Sequence, residues 1–398
     1  MQPDPPVPDA PKRHLGALQA TALALGMIMS TDTLKTAPTV AQSLSGPLFY
    51  GAWIAGGLVS MVGAFCYVEM ATAFPDPGGD YHFLRRAWGR EVGALFAWSR
   101  FSVMHTGWMA LMAFMFADYA GDLLGLGHGA RTLFALGVIA VLMALNLAPA
   151  RRGFAAQAGL VVLVALGFAA VVAASVALGL VGQLPPAASA IHTAGLPTLS
   201  KLTVAFVYIF LAFGGWSDAA TLSAEVSDKA RGMLIAIVGS LTLLMAIYLA
   251  LNAAMMVGLG PAALAASDAP AADLMGRAFG PAGKAAIVAV VGVSAIASIN
   301  STLIVGARTT YAAARDIPRL SFIGRWDGAR GVPARAVVVE SLFAMALVVA
   351  GGFAKSGFNA MVDYMTPIYW LFIALSMGAL VRLRLRHPDA GGAVRTPF

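Results

Sequence analysis

Two stretches of polar residues interrupt long apolar runs in this sequence. The first is Ser-Thr-Asp-Thr at residues 30–33, and the second is Gly-Gly-Trp-Ser-Asp at residues 214–218. Hydroxyl and carboxylate oxygens accept hydrogen bonds and bind cations, and a glycine weakens a helix by about 1 kcal/mol relative to alanine. Both stretches therefore have the composition of a ligand site built on an interrupted helix. The candidate binding residues are Ser30, Thr31, Asp32, Phe213, Gly214, Gly215, Trp216 and Ser217.

Asp32 has the clearest chemistry of the first stretch. An ionisable side chain inside an apolar run is costly and is a functional candidate by default. Such a carboxylate would anchor an amine or help to bind a cation. The alternative is structural, because Lys35 follows three residues later and the two side chains would pair if the helix continued.

A third polar cluster lies late in the chain and consists of Ser298, Asn300 and Ser301. Together with Asp32, these oxygens are a candidate site for a coupling ion. The alternative is hydrogen bonding between helices, which needs no ion.

Three further ionisable residues are candidates for gating. His105 has an ordinary pKa near 6.5, which suits a proton relay, although a packed neutral histidine is the alternative. Glu69 and Glu225 lie near the ends of apolar runs, as an inner gate or as solvated charges. Their candidate partners are Arg85, Lys229 and Arg308.

The elements that position these residues are apolar helices. Of the 398 residues, 59% are hydrophobic and 11% are charged, against about 45–50% and about 25% in soluble domains. The composition therefore predicts an integral membrane protein of the all-α class. Cys66 is the only cysteine, which excludes a disulfide within the chain and a cysteine-based metal cluster. Without a nucleotide-binding loop or a nucleophile motif, we expect no enzyme.

Apolar runs of about 20 residues, the length that crosses a bilayer, predict ten spans. They are 15–44, 49–73, 92–119, 132–148, 155–181, 202–226, 232–258, 284–307, 335–354 and 359–381. With the N-terminus in the cytoplasm, 19 of the 26 basic residues fall on the cytoplasmic side and five on the other. This asymmetry predicts cytoplasmic termini and explains the net charge of +7 without nucleic acid. The alanine-rich, arginine-over-lysine composition favours a bacterial inner membrane.

The two interrupted spans are the first and the sixth of ten. They open two halves of five spans, and because five is odd the halves are inverted in the membrane. Corresponding interrupted spans in inverted halves are typical of a secondary transporter with its site at the midplane. The predicted organisation is a cytoplasmic tail (1–14), repeat 1 (15–182), repeat 2 (201–381) and a second cytoplasmic tail (382–398).

Four segments resemble the amino acid–polyamine–organocation permeases. They are GMIMSTDTLKTAP at 26–38; CYVEMA at 66–71, continuing through FPDPGGDY at 74–81 to AWG at 87–89; FGGWSD at 213–218, ending in AEV at 224–226; and SINS at 298–301, with AR at 307–308 and ARD at 314–316. The resemblance implies a five-plus-five inverted repeat with broken helices 1 and 6. It also implies that backbone amides of the first break hold a substrate carboxylate and carbonyls of the sixth hold the ammonium.

Three departures from this family matter. The usual glycine-rich first break is replaced by a stretch containing Asp32, whose negative charge would repel a carboxylate and attract an amine. The span 5 lysine of many proton-coupled relatives corresponds here to Val164. The chain ends where many relatives continue into two further spans, which leaves the contacts between subunits open.

The sequence thus predicts a permease that moves amino acids by alternating access, with H⁺ or Na⁺ as its coupling ion and no other cofactor. The predicted partners are a small-molecule substrate and the lipid bilayer. Two alternatives stay open at this point: an amine or polyamine carrier anchored by Asp32, and a sensor with a transporter fold that moves nothing.

Overall fold

A computed structural model of the chain describes residues 20–21, 24–25, 28–76, 79–147, 155–185, 197–224, 226, 229–315, 321–327, 332–387 and 396. Within these residues the regular elements are helices, accompanied by one isolated β-bridge between Asp327 and Val332. The α-helices are α1 (Thr33–Ser43), α2 (Pro47–Ala73), α3 (Asp80–Trp88), α4 (Arg90–Ser99), α5 (Thr106–Leu124), α6 (His128–Asn146), α7 (Ala155–Leu180), α8 (Leu199–Ala212), α9 (Lys229–Leu234), α10 (Ser240–Leu259), α11 (Pro261–Ala266), α12 (Pro270–Arg315), α13 (Ala334–Gly351) and α14 (Gly357–Arg386).

Short turns of other helix types join some of these elements. A π-helical turn at Arg100–His105 connects α4 to α5, and a second at Ile235–Gly239 connects α9 to α10. A 3₁₀-helix at Asp218–Ala224 lies between α8 and α9. Since π-turns are frequent at functional sites, the first of them directs attention to Arg100 and His105.

Seven helices of the described chain are long and apolar enough to cross a membrane. They are Pro47–Ala73, His128–Asn146, Val161–Leu180, Arg231–Leu259, Pro270–Tyr311, Ala334–Gly351 and Gly357–Arg386. Their outward faces are apolar, as lipid contact requires; α6, for example, exposes Leu133, Val141 and Leu145. The chain is therefore an all-helical, multi-pass membrane protein.

The other three predicted spans coincide with shorter or interrupted elements. In the first, the described residues 20–21, 24–25 and 28 are helical, residues 29–32 are not, and α-helix resumes at Thr33. The sixth corresponds to α8, which is 14 residues long. The third runs from α4 through the π-turn into α5. The polar and glycine residues that mark these spans in the sequence are also the residues at which regular α-helix stops.

Packing between helices places the two interruptions side by side. Helix α1, which follows the first interruption, packs against α8, which precedes the second. Helix α12 packs against both α5 and α7 and supplies a facing wall. A buried aromatic core lies behind the second interruption, where the rings of Tyr67 and Trp216 meet edge to face at 5.0 Å.

Candidate functional site

The first interruption is a non-helical segment held by two neighbouring helices. Residues 29–32 lie outside regular helix, and α1 begins at Thr33. The backbone N–H of Ser30 donates to the hydroxyl of Tyr248 in α10 at 3.4 Å. The Thr31 hydroxyl donates to Ser294 of α12 at 3.2 Å. These bonds satisfy polar groups that the missing helical turn would leave without partners.

The second interruption begins where α8 ends at Ala212. Gly215 adopts φ +88°, a left-handed conformation that side-chain-bearing residues rarely take. Its N–H donates to the hydroxyl of Tyr369 in α14 at 3.3 Å. The chain then enters the 3₁₀-helix at Asp218, whose carboxylate accepts a hydrogen bond from Arg100 at 2.9 Å.

Both interruptions line one cavity of about 550 Å³, a size typical of sites for small ligands. Eight of the predicted site residues line it, and they come from four separate stretches of the chain. These residues are Ser30, Asp32, His105, Gly214, Gly215, Ser217, Ser298 and Ser301.

The Asp32 carboxylate lies in the wall of this cavity. Its residue exposure is 1%, and neither carboxylate oxygen accepts a hydrogen bond within the described part of the chain. The Ser30 side chain and the Thr33 backbone are its polar neighbours, but neither reaches hydrogen-bond geometry with it. A buried carboxylate of this kind is costly unless a cation or a proton joins it.

Lys35 is engaged elsewhere, so the predicted alternative of an Asp32–Lys35 pair is wrong. The Lys35 ammonium lies 2.8 Å from the Asp118 carboxylate of α5, and it donates to the Asp268 carbonyl at 2.5 Å. Arg131 of α6 lies 3.6 Å from the Asp118 carboxylate and 3.7 Å from the Asp268 carboxylate.

Three predicted binding residues lie behind the cavity wall. Thr31 is fully buried, and its hydroxyl donates to Ser294. Phe213 packs between the rings of Trp53 and Tyr248, with ring centroids 5.9 and 5.6 Å away. Trp216 packs on Tyr67 and against Gly63, where an added Cβ would lie 2.7 Å from its ring.

The predicted coupling-ion cluster is divided between the cavity and a contact between helices. The Trp108 indole donates to the Ser298 hydroxyl at 2.8 Å, while Ser301 faces the cavity. Asn300 accepts from the Asn146 amide at 2.7 Å. For Asn300, this geometry matches the alternative of a hydrogen bond between helices.

A group of residues that the sequence did not single out connects the cavity to α14. Arg100 lines the cavity and donates hydrogen bonds to both His105 and Asp218.

Asp80 also lines the cavity, and its carboxylate accepts hydrogen bonds from Tyr67 and Ser376. Burial raises the pKa of Asp80 to about 6. The one signal in the sequence was the presence of Arg100 within a predicted span.

Of the two glutamates predicted to form an inner gate, the structure describes Glu69. Glu69 pairs with Arg384 through two hydrogen bonds of 2.6 Å, a bidentate contact that differs from the expected partners Arg85, Lys229 and Arg308. The same carboxylate accepts from the backbone N–H of Thr396 at 2.6 Å. Glu225 lies outside the described residues.

The fold and the cavity define a class: a helical membrane protein with a small-molecule site between two interrupted segments. The amino acid permease family matches residues 15–397, and the chain therefore belongs to that family. The expected resemblance is confirmed.

Curated relatives match over nearly the whole chain. The b(0,+)-type amino acid transporter 1 of Mus musculus is 24% identical over 398 residues, covering 97% of this chain and 79% of the relative. The human protein of the same name is 23% identical over 97% of this chain and 79% of its own length. The human large neutral amino acids transporter small subunit 2 is 24% identical over 95% of this chain and 71% of its own length.

Proposed function

We propose that this protein is a secondary transporter that moves amino acids across a membrane by alternating access through the cavity described above. The observation that carries the proposal is that both interrupted segments, almost 200 residues apart in the sequence, line one cavity of about 550 Å³. The relatives described above are named as amino acid transporters, which supports the same substrate class.

The proposed architecture is the five-plus-five inverted repeat, with repeat 1 at 15–182, repeat 2 at 201–381 and breaks in helices 1 and 6. It is supported by the non-helical backbone at 29–32 and at 213–217 and by the packing of α1 on α8. Alternating access then follows from movement of the two interrupted segments against the wall that α12 forms. The distribution of basic residues supports cytoplasmic termini. The alanine-rich, arginine-over-lysine composition supports a location in a bacterial inner membrane.

Substrate recognition is proposed to use the free carboxylate of Asp32 together with backbone at both breaks. The substrate ammonium is the natural partner of Asp32, since its oxygens accept nothing else in the described chain. Exposed N–H groups at a helix start attract negative charge and carbonyls at a helix end attract positive charge. The start of α1 supplies the N–H groups, and the end of α8 supplies the carbonyls.

A second candidate function is transport of an amine or polyamine. The specific observation that favours it is the position of Asp32, which puts a carboxylate where the resemblance implies that a substrate carboxylate binds. A ligand without a carboxylate avoids the repulsion. If Na⁺ is the coupling ion, its proposed ligands are Asp32, Ser298 and Ser301, since all three line the cavity.

Counterflow in proteoliposomes tests transport directly. Vesicles are loaded with a mixture of unlabelled proteinogenic amino acids, or with the corresponding decarboxylated amines, and labelled compound is added outside. A carrier accumulates label transiently, whereas a sensor binds ligand and exchanges nothing. Accumulation with amines alone would replace the first candidate by the second, and accumulation with neither set would refute both.

A further inference from the structure

Glu340 of α13 is a fully buried carboxyl group that the proposed substrate site does not use. Its exposure is 0%, and neither oxygen has a hydrogen-bond partner within the described residues. Gly306 of α12 makes the space for it, because a Cβ added there would lie 1.8 Å from Oε1. The helix opposite has no side chain at the position where the carboxyl group is placed.

An ionised carboxylate without partners at membrane depth costs several kcal/mol, and such a group becomes neutral by taking a proton. The nearest titratable group is His105, whose Nδ1 lies 3.6 Å from Glu340 Oε1 and likewise has no hydrogen-bond partner in the part of the chain that the structure describes. The other ring nitrogen, Nε2, accepts a hydrogen bond from Arg100 Nε at 3.0 Å. A neutral ring with Nε2 as acceptor carries its proton on Nδ1, the nitrogen that faces Glu340.

His105 stands between the cavity and Glu340. The imidazole lines the cavity and Glu340 does not. Arg100 connects this pair to the second interrupted segment, because its Nη2 lies 2.9 Å from Asp218. A continuous row therefore runs from Glu340 through His105 and Arg100 to Asp218.

Other charged or titratable groups on the neighbouring helices point elsewhere. On α5 and α6, Asp118 and Arg131 belong to the Lys35 cluster, and Asp122 pairs with Lys284. On α12 and α14, Arg308 and Asp363 are exposed, and the Tyr364 hydroxyl donates to the Ser102 carbonyl. His105 is thus the titratable group that faces Glu340 within the described chain.

We propose that Glu340 and His105 form a proton-binding site that couples the proposed transport to a proton gradient. When Asp218 moves with the second interrupted segment, Arg100 leaves His105 Nε2, and a proton from cavity water binds there. The Nδ1–H bond then breaks and an O–H bond forms at Glu340. The carboxylate becomes a neutral carboxyl group, and the imidazole ends neutral with its proton on Nε2.

The test uses Glu340→Gln, which keeps the shape of the side chain but binds no proton. Wild type, E340Q and the control Asp363→Asn, an exposed carboxylate on α14, are placed in proteoliposomes. Counterflow of a labelled amino acid mixture or its amine counterpart is measured without a gradient, and steady-state accumulation is measured under an imposed pH gradient. For one proton per substrate, a gradient of 1 pH unit changes accumulation about tenfold.

We expect this tenfold response in wild type and D363N, and its loss in E340Q with counterflow retained. A tenfold response in E340Q would overturn the proposal. A dye that reports lumenal pH in wild-type vesicles supplies a readout that does not depend on the folding of any variant. Substrate movement without a pH change would overturn proton coupling while leaving transport intact, whereas absence of wild-type counterflow would refute transport itself.

Discussion

The two interrupted segments each carry one aspartate, and the two aspartates have opposite surroundings. Asp32 is buried and accepts no hydrogen bond within the described chain. Asp218 is 46% exposed in its side chain, yet it binds Arg100 at 2.9 Å. The buried carboxylate therefore lacks a partner, while the more exposed one has a cation beside it.

This difference separates two roles that the sequence alone did not distinguish. A carboxylate already paired with a guanidinium has little to offer a ligand, but it can hold two segments together and release them. A carboxylate without a partner gains most from a ligand cation, because the ligand removes the cost of its burial. We therefore assign Asp32 to substrate binding and Asp218 to the movement of the segments.

The largest effect is expected for Asp32→Asn. The amide keeps the size of the side chain but cannot neutralise an ammonium group, and removing one partner of a buried charge pair costs about 2–5 kcal/mol. Uptake of a substrate that carries an ammonium group should fall by about 100-fold or more, while the protein is still expressed. Uptake is compared with that of D363N, and an unchanged rate in D32N would contradict the assignment.

Asp218→Asn is expected to slow exchange rather than binding. The variant weakens a charge-assisted hydrogen bond worth about 1.5–3 kcal/mol, and Arg100 then loses its ionic link to the second segment. Counterflow should slow about tenfold while ligand affinity changes by less than about threefold. If affinity fell as steeply as in D32N, the two aspartates would share one role.

Asp118→Asn tests whether the Lys35 cluster is separate from the site. Lys35 would lose a carboxylate partner at 2.8 Å and retain the Asp268 carbonyl. The free energy of unfolding should therefore fall by ~1–3 kcal/mol. The apparent Tm should fall by about 5 °C, with ligand-induced stabilisation preserved. Loss of that stabilisation would show that Lys35 acts on Asp32 after all.

The smallest effect concerns the pH dependence of stability. The pKa of Asp80 is raised by burial from 3.8 to about 6. Between these values the folded protein holds a proton that the unfolded chain releases, so stability should fall as pH rises through this window. Asp80→Asn should flatten the dependence, because an amide binds no proton in this range, while its oxygen still accepts from Tyr67 and Ser376.

The helices and their interruptions were predictable because they depend on local composition. Apolar runs defined the spans, and the polar residues at 30–33 and the glycines at 214–215 marked where regular α-helix stops. The family resemblance was predictable from the same segments.

Long-range pairs were not predictable. Glu69 meets Arg384 across 315 residues, and Arg100 meets Asp218 across 118. Sequence spacing identifies neighbours along one helix but gives no distance between helices. The sequence also did not predict that the side chains of Phe213 and Trp216 lie behind the cavity wall, since side chains in a non-helical break do not follow a helical period.

Ligand binding to D32N and D218N distinguishes the proposed roles of the two aspartates. Thermal-shift titrations of wild type and both variants use each proteinogenic amino acid and its decarboxylated amine, because a ligand that binds the native state raises the apparent Tm. Ligands that raise the apparent Tm of the wild type should also raise that of D218N and leave that of D32N unchanged. Equal stabilisation of D32N and wild type would contradict this expectation.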